Sequence, residues 1–210
     1  RWHTSFWGRI LTDFEEVALP TELNDDYRFN PAVQLDYLRF VTDSTAECFL
    51  NEFEVLKRYN PEIPVLTNMS GYLKKLDQFT LTKCMDLVGW DNYPRPDDPP
   101  CFVAMKHDIM RGLKGGQSYI LTEQSPNQQN WQPYNRLKRP GEVRRLSYQA
   151  MAHGADTCLF FRCVSRSPDR KSFTERSSVI RDERIPGYLK NVRHLEKSFR
   201  ILVMHFCGGA

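Results

Sequence analysis

The sequence lacks the features that mark membrane proteins and small secreted proteins. None of its apolar runs approaches the roughly 20 residues that a helix needs to cross a bilayer, and from its opening residues we expect no secretory signal. The six cysteines are widely spaced and form no C-x-x-C pair: Cys48, Cys84, Cys101, Cys158, Cys163 and Cys207. We therefore expect reduced thiols, no disulfide framework, no metal site and no membrane partner.

The sequence also lacks a strong charge and a glycine-rich phosphate loop. A net charge of +3 from scattered Lys and Arg gives no basis for a nucleic-acid partner. No G-x-G-x-x-G motif is present, and we expect no cofactor. The sequence opens on Arg1 rather than Met, so we expect a missing N-terminus; the compartment stays open, with cytoplasmic favoured.

Four short apolar segments are present, each ending in polar or Gly/Pro-rich residues. They are Pro64–Met69, Met85–Tyr93, Ser118–Glu123 and Asp156–Cys163. Near-continuous hydrophobic runs of this length are typical of strands that are buried on both faces of a parallel sheet. Each segment is therefore predicted to be a strand.

Helical patterns lie between and around these segments. The longest begins at Asn30–Pro31, an Asn cap followed by Pro at the first helical position, and ends at Asn60–Pro61. Its predicted buried face comprises Leu38, Val41, Thr45, Phe49, Phe53 and Leu56. Four further helices are predicted over Leu76–Cys84, Pro99–Leu113, Pro140–Ala152 and Pro186–Leu202.

This order of elements predicts an α/β protein. One helix followed by four strand–helix units matches a partial (β/α)₈ TIM barrel, namely its last four strand–helix units. A smaller doubly wound sheet is the alternative, although that fold usually carries the glycine-rich loop that is missing here. The polar stretch 164–184 is predicted to be a long loop.

Candidate functional residues follow from the rule that a barrel builds its active site at the C-terminal ends of its strands. Glu123 is the leading candidate, because a carboxylate ends the apolar stretch Tyr119–Leu121. A Glu at this point can instead cap a turn or pair with an Arg. Asp91 is predicted to hold a loop by hydrogen bonds, and His153 to be structural. Tyr93 and Trp131 supply the aromatic faces on which a sugar can stack.

Several blocks of the sequence, in order and at matching spacing, resemble the β-galactosidases of glycoside hydrolase family 42. The blocks are Trp90–Pro94, His107–Asp108, Arg111–Gly116, Glu123–Pro126, Asn130–Asn135, Lys138–Gly141, Ser147–Ala150 and His153–Asp156. The likeness covers roughly residues 2–175. It implies the C-terminal half of a catalytic barrel over residues 1–202, with 203–210 as an unmatched tail.

The resemblance assigns roles to particular residues. Glu123 would be the nucleophile of a retaining β-galactosidase, Trp131 would contact galactose, Tyr93 would lie near the nucleophile, and Trp7 would line the leaving-group side. The family's acid/base Glu belongs to an Asn-Glu-Tyr-Gly block that would precede Arg1. The substrate implied is a β-galactoside or oligosaccharide.

The sequence departs from the family pattern at three positions. Cys163 stands where the family usually has Trp, and Lys171 and Thr174 replace a Glu and a His that hydrogen-bond sugar hydroxyls. The regions through which the family forms trimers are also missing. Two hypotheses stay open: part of a β-galactosidase that is inactive alone, or a non-catalytic remnant that binds carbohydrate weakly or packs against a partner.

Overall fold

The computed structural model describes residues 12–17, 31–71, 75–126, 132, 134 and 136–161. The chain divides into two compact units. The first comprises Arg1–Ile63 and Leu73–Cys84, and the second comprises Pro64–Tyr72 and Met85–Ala210. Within the described ranges, no helix is long and apolar enough to span a bilayer. The predicted helix over residues 186–202 and the predicted loop over 164–184 lie outside the described residues.

The described residues of the first unit form two α-helices, α1 (Pro31–Tyr59) and α2 (Gln78–Lys83), and one 3₁₀ turn, Phe14–Glu16. Helix α2 begins after Asp77, whose carboxylate accepts hydrogen bonds from the backbone N–H groups of Phe79 and Thr80. The N–H of Asp77 donates to Oγ1 of Thr42 in α1 at 3.1 Å. This bond joins the two helices of the unit.

The predicted buried face of α1 is only partly correct, since Leu38, Val41 and Phe53 are half-buried rather than buried. Of the six residues proposed, only Phe49 is buried, and Thr45 and Leu56 are exposed. The buried positions are Val33, Thr42, Ala46 and Phe49. Small side chains such as Ala46 and Thr42 are among those that face inward here. The hydroxyl of Thr42 can be buried because it donates a hydrogen bond to the carbonyl of Leu38. A prediction from hydrophobicity alone therefore selects a neighbouring face of the helix.

The second unit is a four-stranded parallel sheet whose strands follow the chain order. The strands are β1 (Asn68–Met69), β2 (Gly89–Asn92), β3 (Tyr119–Gln124) and β4 (Ala155–Cys158). Helices α3 (Pro100–Gly112) and α4 (Glu142–Ala152) form the crossovers from β2 to β3 and from β3 to β4. Sequential parallel strands with helical crossovers confirm the partial barrel. All four predicted strands exist, although β1, β2 and β4 are shorter than predicted.

A buried network of polar side chains connects helices α3 and α4 to strands β2 and β3. His107 of α3 is fully buried, with Nδ1 at 2.7 Å from Oη of Tyr119. Tyr119 gives its own proton to the carbonyl of Ala150 in α4, so the imidazole Nδ1–H donates to Tyr119. Asn92 faces the other ring nitrogen at 3.5 Å. Burial lowers the pKa of His107 to about 4, so its ring is uncharged at neutral pH. The ring of this α3 residue contacts side chains of β2 and β3.

Candidate active site

Two predicted site residues meet at the C-terminal ends of neighbouring strands. Glu123 lies next to the last residue of β3, and Tyr93 directly follows β2. The hydroxyl of Tyr93 donates a hydrogen bond to Oε2 of Glu123 at 2.6 Å. This is the short distance expected when a hydroxyl donates to a carboxylate. The strand pairing therefore creates a contact between residues 30 positions apart.

A β-bulge determines which way Glu123 points. Tyr119 contacts α3 and α4, and Gln124 donates to Ser147 of α4, so both ends of β3 face the helices. Five steps of strict alternation would place these two residues on opposite faces. The pairing of β2 with β3 shifts between Trp90 and Asp91, which absorbs the extra residue. Thr122 and Glu123 consequently both face away from the helix layer.

Asp91 connects three strands beside Glu123. Its carboxylate accepts hydrogen bonds from Nδ2 of Asn68 in β1 and from Oγ1 of Thr122 in β3, each at 2.8 Å. In the strand register Asp91 is the direct partner of Glu123. Burial raises the pKa of Asp91, and its two hydrogen bonds oppose that rise. The prediction that Asp91 forms structural hydrogen bonds is correct, but these bonds join strands β1 and β3 to β2 and do not hold a loop.

The surroundings of Glu123 and Tyr93 shift the pKa of each side chain. Burial raises the pKa of the Glu123 carboxyl; the hydrogen bond from Tyr93 lowers it, and the negative charge of Asp91 raises it. The pKa of Tyr93 is raised well above its usual range by burial and by the nearby Glu123 carboxylate. Tyr93 therefore keeps its proton at neutral pH and acts as a hydrogen-bond donor to Glu123.

The remaining candidates fall into two groups. Trp7, Trp131, Cys163, Lys171 and Thr174 lie outside the described residues. His153 caps the C-terminus of α4, and its Nδ1 is 2.6 Å from Oδ1 of Asp108, which agrees with a structural role. Thr122 was missed by the sequence reasoning, since nothing in an apolar strand marks the position of a bulge.

The described residues include candidate metal ligands and four of the six cysteines. In the part of the chain that the structure describes, no cluster of three or more His, Cys, Asp or Glu side chains is arranged to hold a metal ion. Cys48, Cys84, Cys101 and Cys158 are free thiols. Cys163 and Cys207 lie outside the described residues.

Comparison with known proteins identifies the family. Residues 1–199 match glycoside hydrolase family 42, described as Beta-galactosidase. The chain is 47% identical over 164 residues to Beta-galactosidase BgaP of Planococcus sp. (strain L4), a match that covers 76% of this chain and 24% of that protein. The chain thus spans about a quarter of the length of this curated relative.

Solved structures agree with the sequence match. A beta-galactosidase from Bacillus circulans sp. alkalophilus superimposes with a TM-score of 0.82 at 44% identity, covering 95% of this chain and 30% of that one. A catalytic Glu-to-Ala mutant of Gan42B, a family 42 beta-galactosidase from G. stearothermophilus, gives a TM-score of 0.79 at 30% identity, covering 94% of this chain and 30% of that one. The chain therefore belongs to glycoside hydrolase family 42.

Proposed function

We propose that the protein of which this chain forms a part is a retaining β-galactosidase, with Glu123 as its nucleophile. The observation that carries the proposal is the Tyr93–Glu123 hydrogen bond at the C-terminal edge of a parallel barrel sheet. Barrel enzymes assemble their active sites at this edge. BgaP and the Bacillus circulans protein carry the name beta-galactosidase, and the Gan42B structure is of a catalytic Glu-to-Ala mutant.

The chemistry needs a second carboxyl group. In a retaining glycosidase one carboxylate attacks the anomeric carbon, while the other protonates the leaving oxygen and later activates water, at a separation of about 5–5.5 Å. Glu123 suits the attacking role, because Tyr93 orients one carboxylate oxygen through its hydrogen bond. Asp91 does not suit the acid role, since its two oxygens accept hydrogen bonds from Thr122 and Asn68. By resemblance, the acid/base Glu belongs to the half of the barrel that precedes this segment.

A chimera supplies that other half. In it, residues 31–161 of this chain replace the aligned segment of BgaP, which keeps the rest of its own barrel. We expect a dinitrophenyl β-galactoside with fluorine next to the anomeric carbon to inactivate the chimera, because its good leaving group departs while the fluorine slows hydrolysis of the glycosyl-enzyme. Peptide mass spectrometry should find the sugar on Glu123. The matched control Glu142→Gln should label normally, whereas labelling of another carboxylate would refute the assignment.

Tyr93 offers a second test through the pH dependence of the chimera. Its hydrogen bond lowers the pKa of Glu123, so Tyr93→Phe should raise that pKa and move the acidic limb of the kcat/KM profile to higher pH. Tyr93 also fixes the position of Glu123, and about 1 Å of misplacement can cost around 10²-fold, so kcat/KM at the optimum should fall by up to about 100-fold. Tyr148→Phe, on α4, is the control. An unmoved limb would show that Tyr93 does not tune Glu123.

A further inference from the structure

Asp91 faces the same side of the sheet as Glu123. Its neighbours along β2, Trp90 and Asn92, both contact His107 of α3: the rings of Trp90 and His107 are 5.0 Å apart, and Nδ2 of Asn92 lies 3.5 Å from Nε2 of His107. Because the extra residue at the register shift belongs to β3, β2 alternates regularly, and Asp91 points away from the helix layer. Asp91 and Glu123 are thus paired carboxyl residues on one face of the sheet.

Uncharged groups hold the Asp91 carboxylate in place. Its Oδ2 accepts a hydrogen bond from the amide of Asn68, and its Oδ1 accepts one from the hydroxyl of Thr122. Among the residues that the structure describes, no Lys, Arg or His forms an ion pair with Asp91. Hydrogen bonds of this kind favour the charged form of a carboxyl group and fix its position, but they do not cancel its charge.

The charge of Asp91 acts on Glu123. Among the described residues, Tyr93 and Asp91 are the titratable groups that shift the pKa of Glu123, and they act in opposite directions: the hydrogen bond from Tyr93 lowers that pKa, and the negative charge of Asp91 raises it. A fixed negative charge therefore destabilises the free Glu123 carboxylate in comparison with any uncharged form of that side chain. The ester that Glu123 would form with a sugar is one such form.

Covalent attack on a sugar moves charge in the direction that Asp91 favours. The attacking carboxylate gives up its negative charge as it bonds to the anomeric carbon, and that carbon becomes cation-like in the transition state. A negative charge beside the carboxylate favours both changes. Because Asn68 and Thr122 already hold this charge in place, no reorganisation is needed when the reaction occurs.

We infer that Asp91 is a positioning residue for the reaction: fixed by Asn68 and Thr122, it holds a second negative charge beside the nucleophile and thereby favours covalent attack on the sugar. The inference rests on the proposed function, since it takes Glu123 to be the attacking group. Asp91 itself does not react, because both of its oxygens accept hydrogen bonds. Removing its charge should change the charge state of Glu123 as well as the rate, which loss of a merely structural residue would not do.

An NMR titration of the 210-residue chain tests the effect of the charge without catalysis. In protein labelled at the carboxyl carbon of Glu side chains, the Glu123 resonance is the one that is missing from Glu123→Gln. Asp91→Asn removes the charge and can keep both contacts, because an amide both donates and accepts hydrogen bonds. The pKa of Glu123 should fall in this variant, since a like charge has been removed. Asp108→Asn is the matched control and should leave that pKa unchanged, because Asp108 lies on α3, 2.6 Å from Nδ1 of His153.

The BgaP chimera tests the effect on the reaction. Asp91→Asn should move the acidic limb of the kcat/KM profile to lower pH, opposite to Tyr93→Phe. It should also slow inactivation by the fluorinated galactoside at least about tenfold at the optimum, because preorganised electrostatic groups contribute on this scale or above. Thr122→Val removes one of the two hydrogen bonds to Asp91 and should slow inactivation too, whereas Thr122→Ser keeps the hydroxyl and should restore the rate.

The outcomes separate this inference from the proposed function. An unchanged or raised Glu123 pKa in folded Asp91→Asn would overturn the inference, even if the parent chimera carries the sugar on Glu123. Inactivation of the Asp91→Asn chimera at the parent rate would overturn it as well. Labelling of another carboxylate in the parent chimera would overturn the proposed function itself, whatever the NMR titration shows. Circular dichroism of each variant verifies that the fold is retained.

Discussion

Replacing Glu123 with alanine in the BgaP chimera is expected to lower kcat for nitrophenyl β-galactoside on the order of 10⁴- to 10⁶-fold. Removal of a covalent nucleophile in other enzymes causes losses of this scale. The side chain faces away from the helix layer and is only partly buried, so the truncation removes chemistry rather than core packing. Thermal unfolding of the variant should therefore stay close to that of the parent.

Adding azide to the assay shows whether the lower kcat comes from loss of the nucleophile or from loss of the general acid. If Glu123 is the nucleophile, azide can take its place in the Glu123→Ala chimera and attack the face of the sugar that the carboxylate used. The product from a β-galactoside is then the α-galactosyl azide. Recovery of the β-azide instead would assign Glu123 to the acid/base role. Absence of any azide product in a folded, substrate-binding chimera would indicate that Glu123 is not at the reacting carbon.

The isolated 210-residue chain is expected to show no measurable turnover of the same substrate. By resemblance, the acid/base Glu belongs to a preceding segment, and general acid–base help is worth typically 10²–10⁴-fold. By the same resemblance, Lys171 and Thr174 stand where a carboxylate and an imidazole would bind sugar hydroxyls. Four strands also support Glu123 less rigidly than a closed barrel, and about 1 Å of misplacement can cost around 10²-fold.

The same assay with added azide tests why the isolated chain shows no turnover. With Glu123 intact, azide bypasses the missing base, and any turnover would give the β-galactosyl azide. Formation of that product by the isolated chain, and its loss in Glu123→Ala, would show that the segment is competent on its own. If no product forms even after Lys171→Glu and Thr174→His are introduced together, the absent half of the barrel is the dominant defect.

The sequence predicts the parts of this fold that follow from long-range regularity. Alternating apolar segments and helical patterns predicted four parallel strands, and the strand-end rule selected Glu123 and Tyr93, which lie in hydrogen-bond contact. Both predictions work because parallel strands bring their carboxyl ends to one edge regardless of local detail. The family resemblance then added a role to Glu123 that geometry alone does not supply.

Local features escaped prediction for identifiable reasons. The buried face of α1 depends on small residues such as Ala46 and on the bond between Thr42 and Asp77, and neither signals burial by its hydrophobicity. Five cationic side chains line one cavity but come from two segments of the chain: Arg95 from the loop after β2, and Arg136, Lys138, Arg139 and Arg145 from positions 41 to 50 residues later. In the sequence these charges are therefore scattered. Contacts of this kind exist only after the sheet has formed.

The shift in the pairing of β2 with β3 divides β3 into two halves whose side chains alternate out of phase with each other. Because one extra residue separates Tyr119 from Gln124, the half before the shift and the half after it are out of phase, and Glu123 belongs to the second half. Loss of the bulge at unchanged length would put Tyr119 and Gln124 on opposite faces, whereas deletion of one residue between Ile120 and Thr122 would restore strict alternation and keep Glu123 facing away from the helices. The extra residue and the bulge are therefore coupled: β3 can lose both together and keep the direction of Glu123, but it cannot lose the bulge alone.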